Sequence, residues 1–151
     1  MSGPFLQSVY EDGPSDRVLR ELYALLRERT PEESISHRQM PNWEDHIAFV
    51  ERKPYLAWYL ILSGMESDFF EGRFSKMTIV GACYLSKQRE IGVSIFERHR
   101  HHGHASAAVK QLMARHPCRF LANINPANQA SISLFLKLGF GGPIQITLEK
   151  P

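Results

Sequence analysis

Cysteine is scarce in this chain. Cys83 and Cys118 are the only two, they lie far apart, and they form no CxxC pair. A disulfide framework or a thiolate metal knuckle is therefore not expected, and both thiols read as reduced structural residues. Charge of one sign is also lacking. With 18 Lys and Arg against 16 Asp and Glu, the formal net charge is +2, too small to attract nucleic acid or an anionic membrane. Long hydrophobic runs are missing too. The longest, YLAWYLIL at 55–62, falls far short of the roughly 20 residues that span a bilayer. The start, MSGPFLQSVY, has no basic segment followed by an apolar one, so no secretory signal is expected and the protein reads as cytoplasmic. There is no internal repeat, low-complexity tract or Pro/Ser/Gly linker. The 151 residues read as one domain, 1–151, able to bury a core without cross-links or metal.

Periodicity supplies the elements. FLQSVY at 5–10 reads as a first strand and DGPS at 12–15 as a turn, with Ser15 placed to cap a helix. Val18, Leu19, Leu22, Leu25 and Leu26 recur at helical spacing over 16–29. The stretch 29–41 reads as a loop. Asn42 can cap a second helix, on which Trp43, Ile47 and Val50 share a face until Pro54 ends it. LAWYLILS at 56–63 reads as a buried strand, 64–75 as a long hairpin connection, 76–86 and 89–96 as strands joined by the polar turn SKQR. Ala105, Ala108, Val109, Leu112 and Met113 mark a helix that Pro117 ends. RFLANIN at 119–125 reads as a strand. PANQASISLFLKLG reads as a helix with Pro126 in its first turn and Gly139 as its C-cap, and IQITLE at 144–149 as a final strand. Antiparallel hairpins followed by β-α-β predict an α/β (α+β) mixed sheet with helices on both faces. The crossover should make 89–96 and 119–125 parallel.

The densest chemistry lies in ERHRHHGHAS at 97–106, with four histidines and two arginines around Gly103. Converging metal ligands would need side chains that meet, and His99, His101, His102 and His104 straddle a glycine turn that spreads them; no carboxylate or cysteine cluster supports them, so no metal is expected. A nucleic-acid surface would need a basic helix and interleaved aromatics, which are missing. A solvated polar loop is the plain alternative. The position between a strand and a helix favours a fourth reading. Unpaired N–H groups and the positive end of the helix dipole make an anion site, Gly103 lets a ligand approach the backbone, and Ala105 and Ser106 keep the entrance small.

At these residues the sequence resembles the GNAT superfamily of N-acetyltransferases. The family's acyl-CoA loop, R/Q-x-x-G-x-G/A, is matched by Arg100-His101-His102-Gly103-His104-Ala105. Downstream, Asn128 to Phe135 followed by Gly139-Phe140 is similar to the family's N-x-x-A/S-x-x-(aliphatic)-Y before a G-F pair. The resemblance covers nearly the whole chain. It implies acetyl-CoA as co-substrate and a GNAT-like sheet, mostly antiparallel with a central splayed parallel pair. The pantetheine arm would pair with 93–96, including Ile95 and Phe96, with 119–125 as the other wall. The pyrophosphate would sit on backbone N–H groups of His101 to Ala105, Ser106 would add a hydroxyl, and Asn128 would contact the CoA arm. The tyrosine that protonates the departing thiolate in many family members is replaced by Phe135.

Acetyl transfer to an amine requires a neutral amine, a held thioester, a donor for the oxyanion and a leaving thiolate. A backbone N–H near Val93 to Ile95, where family members often bulge, would serve the oxyanion. Three residues are candidates for proton handling. Glu90 opens the strand that carries the CoA contacts, Tyr84 ends the preceding strand, and His37 sits in the loop after the first helix. His46 reads as structural. The acceptor is a small-molecule primary amine. Residues 34–61 are loosely similar to GNAT enzymes that acetylate amino sugars on nucleotide carriers, while a protein N-terminus or another small amine stays open. A non-catalytic acyl-CoA sensor or interaction module is the alternative class. A homodimer is compatible with the sequence; membrane or nucleic-acid partners are not expected.

Overall fold

The structure, a computed structural model, describes residues 2–34, 39–65 and 77–151. Its sheet has the order β1 (Ser2–Ser8), β2 (Ala57–Met65), β3 (Thr78–Leu85), β4 (Ile91–Ile95), each pair antiparallel. β1 is an edge strand, which tolerates Pro4 and its missing N–H. Helices α1 (Asp16–Glu28) and α2 (Trp43–Glu51) begin where their caps require. Ser15 accepts from the Val18 N–H and Asn42 from the Asp45 N–H. Helices α3 (His104–Arg115) and α4 (Gln129–Lys137) follow the sheet.

Strand alternation divides the core between two layers. Tyr59 and Ile61 of β2 and Cys83 and Leu85 of β3 face α3, which buries Ala108, Val109 and Leu112 against them. Trp58, Leu60 and Leu62, together with Ile79 and Ala82, face the other way, onto Leu19, Leu22 and Leu25 of α1 and Val50 of α2. Burying a leucine as completely as Leu60 or Leu112 stabilises the fold by roughly 2–3 kcal/mol. Ile61 pairs with Gly81 but Leu62 with Ile79, so Val80 is an extra residue in β3. This bulge shifts the alternation by one, which is why Val80 and Cys83 share a face.

Two expected strands are corrected. Residues 119–125 form no ladder; Leu121 makes a single parallel bridge to Glu90 and the segment then leaves β4. The parallel pair is thus one point of contact. Residues 144–149 form no strand either, and Ile146 and Leu148 are 79% and 90% exposed. Their apolar alternation suits a strand only beside a sheet edge, and no strand in the described residues pairs with them. The bulge expected in β4 lies in β3 instead, because β4 pairs without a register shift. Pro126 precedes α4 rather than entering its first turn, and Asn128 is the N-cap. The connection expected over 64–75 falls largely within 66–76, outside the described residues, as does His37. No described helix is long and apolar enough to cross a membrane.

Candidate active site

A cavity of about 640 Å³ opens where β4 and the 119–125 segment part. At its closed end the Ile91 N–H donates to the Leu121 carbonyl (2.8 Å) and the Leu121 N–H to the Arg89 carbonyl (2.9 Å). Beyond that point Asn125 pulls its segment away. Its Nδ2 donates to the Ser34 carbonyl at 2.9 Å, and its Oδ1 accepts from the Ala127 N–H. On β4 the Phe96 N–H turns back to the Val80 carbonyl of β3. Alternation then directs the backbone groups of Ile91, Val93 and Ile95 outward, into the wedge. The Ile95 carbonyl is taken by Arg100 Nε at 3.1 Å. The Val93 N–H and carbonyl and the Ile95 N–H have no strand opposite them in the described residues. An extended ligand backbone has a ladder to join there.

The wedge ends at the start of α3. Gly103 is the N-cap, at φ 77, and supplies no side chain to its own helix. The first intrahelical bond runs from the Ala107 N–H to the Gly103 carbonyl. The N–H groups of His104, Ala105 and Ser106 therefore have no acceptor within the helix. A Cβ built at Gly103 would meet no atom within 4 Å beyond its chain neighbours, and Gly103, His104, Ala105 and Ser106 all line the cavity. This geometry fits a pyrophosphate. Arg100 lies beside it, 3.6 Å from Glu33. Burial, then His102 and His99, hold the His104 imidazole below the usual histidine range, so an arriving anion meets a neutral ring that it can help to protonate. Among the described residues no three His, Cys, Asp or Glu side chains converge as a metal would require.

The opposite end of the cavity is aromatic. Phe49, Tyr55, Trp58 and Tyr84 line it with Leu22 and Leu25. Tyr55 and Tyr84 stack at 3.9 Å with their planes 5° apart, and Trp58 meets Tyr55 edge-on at 4.8 Å. Burial raises the pKa of both tyrosines, with the Glu90 charge a second cause for Tyr84. His46, 2% exposed, reaches this wall from α2; its Nε2 donates to the Leu19 carbonyl at 2.8 Å, and its Nδ1 has no partner in the described residues.

The cavity brings together Tyr84, Ile95, Arg100, His101, Gly103, His104, Ala105, Ser106, Asn128 and Phe135. It does not bring in Glu90, Phe96 or His102. Glu90 sits at the closed end of the wedge, where its N–H donates to Ser86 Oγ. Phe96 is buried against the α1 layer, its N–H committed to Val80 of β3 and its carbonyl to the His99 N–H. Asn128 Oδ1 accepts from the Ser131 N–H as the α4 cap, which leaves its Nδ2 for a ligand. Phe135 is a core residue, edge-on to Phe140 at 5.0 Å, that also lines the cavity. The sequence reading missed the Asn125 tether and the aromatic wall. The aromatic density of 49–59 was the available signal for the wall; nothing local marked the tether.

The family described as Acetyltransferase (GNAT) family matches residues 19–140. No curated protein matches this sequence. Among solved structures, a domain from Methanocaldococcus jannaschii is similar at TM-score 0.70 and 20% identity, over 93% of this chain and 90% of that one. A putative acetyltransferase, yncA, from Salmonella typhimurium, solved with its cofactor acetyl-CoA, is similar at TM-score 0.61 and 16% identity, over 93% and 79%. A putative GNAT-family acetyltransferase from Bordetella pertussis is similar at TM-score 0.63 and 17% identity, over 95% and 88%.

Proposed function

The chain belongs to the acetyltransferase (GNAT) family, whose activity is acetyl-CoA-dependent acetyl transfer, and from that premise we propose how its own residues accept a primary amine on a small molecule. The observation that carries the reading is the continuity of the cavity. One open space joins the free backbone of Val93 and Ile95, the bare N-terminus of α3 and the aromatic wall. Ser106 and the N–H groups of His104 and Ala105 hold the pyrophosphate, and the Val93 backbone pairs with the pantetheine amides. The Ile95 N–H, fixed on a rigid strand, faces the thioester carbonyl where negative charge develops.

Tyr84, in the aromatic wall and over Gly92 of β4, takes the place of the hydroxyl that Phe135 lacks. Its raised pKa keeps the hydroxyl protonated and available to the thiolate, while making it a weaker donor than an ordinary tyrosine. The amine nitrogen bonds to the carbonyl carbon, the C–S bond breaks and the thiolate takes the Tyr84 proton. The amine loses its extra proton to water, and the tyrosinate recovers one from water. Glu90 acts on this step through Tyr84, whose proton its charge helps to retain. His37 remains a candidate for orienting the acceptor. The likeness of residues 34–61 to enzymes of nucleotide-linked amino sugars makes those sugars one arm of the test.

The test is thiol release from acetyl-CoA against a panel of UDP- and dTDP-amino sugars, polyamines, amino acids, aryl amines and short peptides. Release that depends on the amine, with acetylated product by mass, is the expected result. A thermal shift with CoA and no release with any amine would identify an acyl-CoA sensor instead.

A further inference from the structure

We infer that the acceptor is a primary amine on a flat apolar body, received by the aromatic wall, and that it carries no second positive charge. This rests on the acetyl-transfer reading above and deepens it. The first argument is shape. The stacked Tyr55 and Tyr84 rings are nearly parallel, and Trp58 and Phe49 close the corner at 4.8 Å and 5.9 Å from Tyr55. Rings held this way offer faces and edges to a planar guest and lose little freedom on binding it.

The second argument is charge. Carboxylates draw a polycationic acceptor, and a carboxylate of the described lining, Glu33, is not free to do so. Glu33 already lies 3.6 Å from the Arg100 guanidinium. Arg29 also lines the cavity, close enough to act on both Tyr55 and Tyr84. A cation there repels a second ammonium. It also favours the neutral form of the single reacting amine, the form that attacks the thioester.

The third argument is polarity. His46 contributes a neutral ring to the same wall. Its Nε2 must carry the proton donated to Leu19, so Nδ1 is a bare acceptor, buried and unpartnered among the described residues. The wall thus presents ring faces, with its two tyrosine hydroxyls engaged with each other and the His46 ring uncharged behind them.

The experiment compares kcat/KM for 2-phenylethylamine, spermidine, glucosamine and a UDP-amino sugar, alongside the thermal shift given by CoA. 2-Phenylethylamine should lead the others by about tenfold or more, a difference one good ring contact can supply. Tyr55→Leu should raise its KM about tenfold, because the apolar volume stays but the ring face goes. Tyr55→Phe should keep the KM, and the CoA shift in both variants reports that the fold is intact. Preference for spermidine or the UDP-amino sugar would overturn this inference while leaving acetyl transfer standing. Absence of release with every amine, with the CoA shift retained, would overturn both.

Discussion

The Tyr84 ring lies across Gly92 on the neighbouring strand: a Cβ at residue 92 would fall on the ring's Cε1, Cζ and hydroxyl oxygen. The glycine is therefore the seat of the tyrosine, and the seat lies next to Val93, where the strand meets the wedge. Gly92→Ala should force the ring off this seat. Overpacking of this kind costs roughly 1–3 kcal/mol, and kcat should fall with it. Tyr84→Ala placed in the Gly92→Ala background should restore thermal stability, because it removes the atoms that clash. Additive losses in the double variant would show that the two residues do not compete for the same space.

Tyr84→Phe isolates the hydroxyl. The stack on Tyr55 and the cover over Gly92 survive, so the melting temperature should change little. If the hydroxyl protonates the thiolate, kcat should drop about 10²-fold, at the low end of general-acid contributions, with CoA affinity intact. Glu90→Gln should act less strongly. Its charge is the second cause, after burial, of the raised Tyr84 pKa, so its loss lowers that pKa. The basic limb of the pH–rate profile should then move to lower pH. Unchanged kcat in Tyr84→Phe would leave protonation of the thiolate to solvent.

Gly103→Glu tests the cradle. The position has φ 77, and a Cβ there would meet no atom within 4 Å, so the fold can accept the residue at a backbone cost of roughly 1–2 kcal/mol. The carboxylate then occupies the space above the His104, Ala105 and Ser106 N–H groups. CoA should stabilise the native protein against heat and fail to stabilise the variant. Equal shifts in both would place the phosphates elsewhere.

Phe135→Tyr asks whether the missing hydroxyl is wanted. Phe135 is 4% exposed yet lines the cavity, so the added oxygen can reach the open side rather than the Phe140 contact. Turnover should stay within a few-fold of the native value. A fall of about a hundredfold, on the order of 3 kcal/mol of barrier, would mean that the oxygen is trapped without a partner.

Much of this site was legible in the sequence because it is local. The caps at Ser15 and Asn42, the start of α3 and the loop Arg100–Ala105 depend on residues within a few positions of each other. The wedge is not local. Residues 119–125 have the composition of a strand, but Asn125 is bonded to the Ser34 carbonyl, far off in the chain, and this draws the segment away from β4. The place of Glu90 is non-local too. It leads into β4 as its sequence position implies, but only the single bridge to Leu121 shows that this is the closed end of the wedge. The alternating apolar residues 144–149 show the converse: a local pattern for a strand without a partner among the described residues.

His46 makes a last prediction, on acid stability. Burial lowers its pKa below the ordinary 6.5, against a smaller opposing effect of the Leu19 carbonyl. Burial, then His102 and His99, lower His104 from the same value. The unfolded chain therefore binds protons more readily than the native state once the pH drops below about 6.5. Stability held above that pH should be lost as it falls through the depressed native pKa values, and the melting temperature should fall with it. His46→Gln separates the two groups. The glutamine amide nitrogen can still donate to the Leu19 carbonyl, but the side chain does not titrate. Its melting temperature at neutral pH should stay close to native, and its decline between about pH 6.5 and 5 should be shallower. The residual slope should shrink further in the presence of CoA, because a phosphate beside His104 favours its protonated form in the folded state. An acid slope in His46→Gln as steep as that of the native protein would assign the loss to other groups.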